Sequence, residues 1–109
     1  MGYVAGSLLE GKDNMQNQIT MRIRRLAPGY YGWTMEADGE VETSSDDLES
    51  IQECLGDIVR WLPEMTAQIK VVYRDEPVGS FSAGSIIEVP EEVANRIDER
   101  YSAVVEARM

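Results

Sequence analysis

The stretch that decides the fold is ITMRIRRLAPGYYGWTMEADGEVET, residues 19–43. Ile19, Met21 and Ile23 alternate with Thr20, Arg22 and Arg24, the two-fold period of a half-buried strand. Ala27-Pro28-Gly29 breaks the chain. Tyr31, Trp33 and Met35 then alternate with Tyr30, Gly32 and Thr34, and Ala37-Asp38-Gly39 breaks it again before Val41 and Thr43. Side-chain phase selects the loops. A two-residue turn at Asp38-Gly39 would put Glu40 and Glu42 on the face of Met35, so a three-residue loop is expected, pairing Met35 with Val41 and Trp33 with Thr43. The same test makes 27–29 the first loop and sets Ile23 opposite Trp33 and Met21 opposite Met35. One apolar face results: Ile19, Met21, Ile23, Tyr31, Trp33, Met35 and Val41. The segment reads as a three-stranded antiparallel meander.

A helix follows. Ser44 or Ser45 offers an N-cap, with Asp46, Asp47 and Glu49 in the first turn, where the helix dipole favours anions. Leu48, Ile51, Leu55, Ile58 and Leu62 make an amphipathic stripe that ends before Pro63. Gly56 inside it costs about 1 kcal/mol relative to Ala. A close approach to the sheet would explain it. Cys54 falls beside the stripe as a small core residue. Ile69, Val71 and Tyr73 mark a fourth strand. Strands are also expected at 78–81 and 85–89. Pro90 opens a second helix, with Val93, Ile97, Tyr101 and Val104 along one face. The expectation is one α+β domain over 19–109, a two-layer sandwich of an antiparallel sheet with two helices on one face, in the order β-β-β-α-β-β-α. Residues 1–18 read as a poorly structured tail.

Outward from that frame, composition bounds function. The chain has 109 residues, 20 acids, 10 bases and no His, so its formal charge is -10. Without His there is no Ser-His-Asp triad, Cys-His dyad or HExxH zinc site. Strong net negative charge argues against direct binding of nucleic acid, whose affinity comes mainly from Lys and Arg. Cys54 is the only cysteine, which suits a reducing cytoplasm, and no apolar run is long enough to cross a membrane. No cofactor is expected, nor catalysis.

The charge map carries the functional reading. Glu36, Asp38, Glu40, Glu42, Asp46, Asp47, Glu49, Glu53 and Asp57 fall within 36–57, which holds no Lys or Arg. Glu49, Glu53 and Asp57 repeat at i, i+4 and would stack on one helix face. Two readings stay open: a solvated face, or a docking surface for a protein partner with a basic surface, itself a nucleic-acid-binding protein. Arg22 and Arg24 either pair across the sheet with Glu36, Glu40 or Glu42, or join Arg25, Tyr30 and Thr34 against RNA. Gly79–Ser85 lacks the Lys of a phosphate loop and fails the G-x-S-x-G pattern, so a flexible hairpin is the better account.

Tyr31-Gly32-Trp33-Thr34-Met35, the turn at Asp38-Gly39, Val41 and then Asp46-Asp47-Leu48-Glu49 opening a helix to Leu62 resemble the N-terminal domain of HicB-type antitoxins. The resemblance covers about residues 19–62. It implies a strand-strand-strand-helix order and a partner that is a small messenger-RNA-cleaving toxin. The family's proline-rich turn is replaced here by Glu36-Ala37-Asp38-Gly39. Ser85–Val93 is similar to the strand-to-helix start of ribbon-helix-helix DNA-binding tails, without that unit's second helix. The leading expectation is a small acidic protein that inhibits or sequesters a partner acting on nucleic acid, of antitoxin, immunity or phage anti-defence type. The alternatives are a carboxylate- or metal-dependent hydrolase and a structural assembly subunit.

Overall fold

A computed structural model describes residues 18–63 and 66–109. The expectation for the tail therefore lies, except for Gln18, outside the described residues. The elements are β1 (Ile19–Ala27), β2 (Tyr30–Ala37), β3 (Glu40–Leu48), α1 (Ile51–Ile58, continued by a single 3₁₀ turn Val59–Trp61), β4 (Gln68–Tyr73), β5 (Glu76–Ser82), α2 (Ala83–Glu88) and α3 (Pro90–Ala107). The strands form one sheet in the order β3-β2-β1-β4-β5. The fold is α+β.

The first hairpin follows the side-chain phase as read, but its loop is Pro28-Gly29 and not 27–29: Ala27 pairs with Tyr30, and a register shift between Arg25 and Ala27 keeps the faces in phase. Met21 lies opposite Met35 and Ile23 opposite Trp33. The inward residues Ile19, Met21, Ile23, Trp33 and Met35 are buried. They form one hydrophobic cluster with Ile69, Val71 and Tyr73 of the sheet, with Ile51, Cys54, Leu55 and Ile58 of α1, with Ala83 and Ile86 of α2, and with Val93 and Ile97 of α3. Burying such side chains is the dominant favourable contribution to folding.

The second hairpin departs from expectation. Ala37 pairs with Glu40, so the loop is the two-residue Asp38-Gly39, both with positive φ (56° and 89°). Such a turn matches the right-handed twist of its strands. The ladder then shifts between Met35 and Glu36, so that Glu36 faces Val41 while Met35 faces Thr43. Glu42 is the extra residue of a β-bulge. It reverses the phase and hands the inward positions to Thr43 and Ser45. Val41 is consequently not on the apolar face. It lies beside Glu36 and is 64% exposed.

Three further expectations change. The sheet is mixed, because β1 and β4 run parallel, in register from Ile19–Ile69 to Ile23–Tyr73. A parallel neighbour needs a crossover connection, and the segment containing α1 supplies it. Helix α1 starts later than expected: β3 continues through Asp46 and Asp47, and the N-cap is Ser50, whose Oγ accepts the Glu53 N–H at 3.1 Å. Finally, 85–89 is not a strand. Ser82 Oγ accepts the Ser85 N–H at 3.1 Å and starts α2, which buries Ala83 and Ile86 at i, i+3, so three helices stand where two were expected. The likeness of 85–93 to a strand-to-helix unit fails with it.

At the β4–β5 end, Tyr73 meets Tyr101 of α3 edge-to-face at 5.1 Å between ring centres, and the Arg74 guanidinium lies 4.9 Å from the Tyr101 ring centre. These contacts tie the β4–β5 hairpin to α3. Burial, then the neighbouring Tyr31, pushes the Tyr73 phenol up to about 12.

Neighbouring positions on α1 give opposite tests of this core. Leu55 is fully buried, whereas a Cβ on the exposed Gly56 would meet nothing within 4 Å, so no close approach to the sheet explains that glycine. Leu55→Ala should destabilise the fold by about 2–5 kcal/mol. Gly56→Ala should stabilise it by up to about 1 kcal/mol. Urea unfolding midpoints at constant slope read both. A Leu55→Ala midpoint equal to that of the parent would contradict the packing.

Candidate functional site

The nine carboxylates of 36–57 divide by what they touch. On the sheet face away from the core, Arg22 Nε donates to Glu36 Oε2 at 2.6 Å. Arg24 reaches the next two strands, donating from Nη1 to Thr34 Oγ1 and from Nη2 to Asp46 Oδ1, both at 2.7 Å. The register makes this possible, because Arg22 and Arg24 lie opposite Thr34 and Gly32. Gly32 leaves room for this pair: a Cβ there would push aside the Asp46 carboxylate and the Arg24 guanidinium. Cross-strand pairing thus accounts for both arginines. Arg24 uses Asp46 rather than Glu40 or Glu42, because β3 is longer than its apolar pattern suggests.

Two carboxylates of α1 also work within the fold. Glu53 Oε1 accepts the Glu49 N–H at 2.9 Å while Ser50 Oγ accepts the Glu53 N–H, a reciprocal arrangement of the capping-box kind. Asp57 Oδ2 accepts the Trp33 Nε1–H at 2.9 Å, and the Trp33 side chain is fully buried. Glu49, Glu53 and Asp57 are therefore not a free stack on one helix face. Asp57 leans over the flank of the apolar stripe, where an indole donor needs an acceptor. The signal was in the sequence: a Trp on the inward face must satisfy its N–H, and Asp57 sits one residue from Ile58.

What remains lies along the sheet edge. Asp38 occupies the β2–β3 turn, Glu40 and Glu42 lie on β3, Asp47 lies near its end and Glu49 follows it, and all five are exposed. β3 is the outermost strand, and it carries no Lys or Arg. Tyr30, at the neighbouring end of β2, lies beside Asp47, and that carboxylate holds the phenol above its ordinary pKa. Charges lined up on an exposed edge project their field into solvent, as long-range steering requires. They do not converge: among the described residues no group of three or more His, Cys, Asp or Glu could hold a metal ion.

The other candidates have structural roles. Ser82 donates to Ser85 Oγ at 2.8 Å as part of the α2 cap. Cys54 is buried. Desolvation, then the charges of Asp57 and Glu53, pushes its thiol up to about 12, so little reactive thiolate forms near neutral pH. Among the described residues no helix is long and apolar enough to cross a membrane. Compared with known proteins, the chain matches no family model, no curated protein and no solved structure.

The Asp57–Trp33 bond separates a structural carboxylate from an interface one. Asp57→Ala leaves a buried donor unpaired and should cost about 1–3 kcal/mol. Asp57→Asn keeps an acceptor and should recover most of that loss. Denaturant unfolding followed by Trp fluorescence checks both. A harmless Asp57→Ala would show that the indole N–H does not depend on this carboxylate.

Proposed function

We propose that this protein is a small acidic binding module. It docks the exposed edge of β3 against the basic surface of a protein that acts on nucleic acid, and so blocks or sequesters it. One observation carries the reading: Asp38, Glu40, Glu42, Asp47 and Glu49 are exposed along one edge of the sheet, in a stretch of chain that contains no Lys or Arg, apart from the carboxylates that the fold itself uses. A protein that grips phosphates must present Lys and Arg, and a row of carboxylates is complementary to that surface. The net charge of -10 opposes direct contact with nucleic acid and favours contact with its binders. The resemblance of 19–62 to the N-terminal domain of HicB-type antitoxins supports the antitoxin version of this role. A blocking role needs no catalytic group and no cofactor. The single cysteine suits a reducing cytoplasm.

Affinity capture from the native host, followed by mass spectrometry, identifies the partner. The reading is then tested by association kinetics over a salt series. Glu40→Lys with Glu42→Lys reverses the edge. Glu99→Lys with Glu106→Lys, at exposed positions on α3, changes net charge equally. The edge variant should associate about tenfold more slowly at low salt, and the α3 variant much less. The difference should shrink as the screening length falls from about 10 Å at 0.1 M to about 3 Å at 1 M. Equal slowing in both variants would mean that only net charge matters, and no slowing would overturn the reading.

A further inference from the structure

The sheet has two edges, and the fold treats them differently. On β5, Pro77 offers no N–H, and the register with β4 shifts between Val71 and Val72. Arg100 of α3 donates Nη1 to the Val78 carbonyl at 3.0 Å, and its guanidinium lies 4.9 Å from the Phe81 ring centre. A Cβ on Gly79, whose φ is +120°, would collide with that guanidinium. A missing donor, an irregular ladder and an inserted side chain are ways in which a sheet edge is closed.

On β3 none of the described residues plays the part of Arg100, and the strand contains no proline. Its two irregularities, at Glu42 and before Leu48, leave Thr43, Ser44 and Ser45 in unbroken register with Met35, Thr34 and Trp33. These three side chains are small, and carboxylates flank them at Glu40 and Glu42 on one side and at Asp46 and Asp47 on the other.

We propose that the partner engages by strand addition: an extended basic segment of it pairs with the outer edge of β3, centred on Thr43–Ser45. This rests on the function proposed above and specifies how docking occurs. An added strand runs about 4.8 Å from β3. Its alternate side chains then come opposite those of β3, where opposite charges attract and like charges repel. Lys or Arg at those positions meets Glu40, Glu42 and Asp47. A second copy of this chain would bring carboxylate against carboxylate, so the occupant is a basic segment and not another β3. Main-chain pairing supplies affinity, and the charges choose the sequence.

The test uses the full chain and two synthetic heptapeptides at low salt. One is acetyl-Lys-Val-Arg-Val-Lys-Thr-Arg-amide. The other is the same peptide N-methylated at alternate residues, which keeps every charge but removes main-chain donors from one edge. Isothermal titration calorimetry should show the methylated peptide binding about tenfold or more weakly, since several hydrogen bonds are lost. Hydrogen exchange should show the first peptide protecting amides within 43–46. Equal binding of the two peptides would overturn strand addition while leaving a basic partner intact. Binding of neither would overturn it as well, and capture of a partner with its dependence on Glu40 and Glu42 would still stand or fall separately. Sedimentation showing the free protein paired through β3 as a dimer would also overturn the proposal.

Discussion

The indole of Trp33 is the constraint around which the rest of the molecule is arranged. It is fully buried at the middle of β2, and its one donor must be satisfied inside the protein. Asp57 satisfies it from the end of α1, a bond that agrees with the rotation at which the helix buries its apolar stripe. Ile51, Cys54, Leu55 and Ile58 are then committed to the core, and Gln52 and Glu53 to solvent. With α1 so placed, the crossover delivers β4 parallel to β1. The order β3-β2-β1-β4-β5 leaves β3 outermost. The acidic edge is the strand that this arrangement leaves uncovered.

Much of the fold was legible because the period-two pattern is strong where both partner strands are greasy. The register of β1 with β2 follows from Met21, Ile23, Trp33 and Met35 alone. At β3 that logic failed, because β3 has few apolar residues to enforce phase. The energetics of the Asp38-Gly39 turn decided the loop, and a bulge at Glu42 repaired the faces afterwards. The same weakness hid the length of β3. Two of its last three residues are aspartates, which read equally well as the first turn of a helix until Arg24 is seen reaching Asp46. The parallel β1–β4 pair depends on where a crossover lands, which local pattern does not encode. At 83–88 two inward residues three apart, and a serine cap, outweighed the β-branched run Ile86-Ile87.

For the candidate site, the sequence showed which residues were acidic but not which were spare. Glu36 and Asp46 serve the arginines of β1, Glu53 caps α1, and Asp57 serves Trp33. All but Glu53 depend on a partner distant in sequence, so a charge count cannot separate them from Asp38, Glu40, Glu42, Asp47 and Glu49. The division matters chemically. Reversing a carboxylate that holds the fold tests stability, and reversing one on the β3 edge tests recognition.

The central claim is that the exposed β3 edge is the surface through which this protein meets its partner. Hydrogen–deuterium exchange on the protein, with and without the captured partner, tests it most directly. Slowed exchange concentrated in residues 40–48, with α3 unchanged, is the result that this account predicts. Protection confined to α3, with the β3 amides exchanging at their free rate, would contradict it.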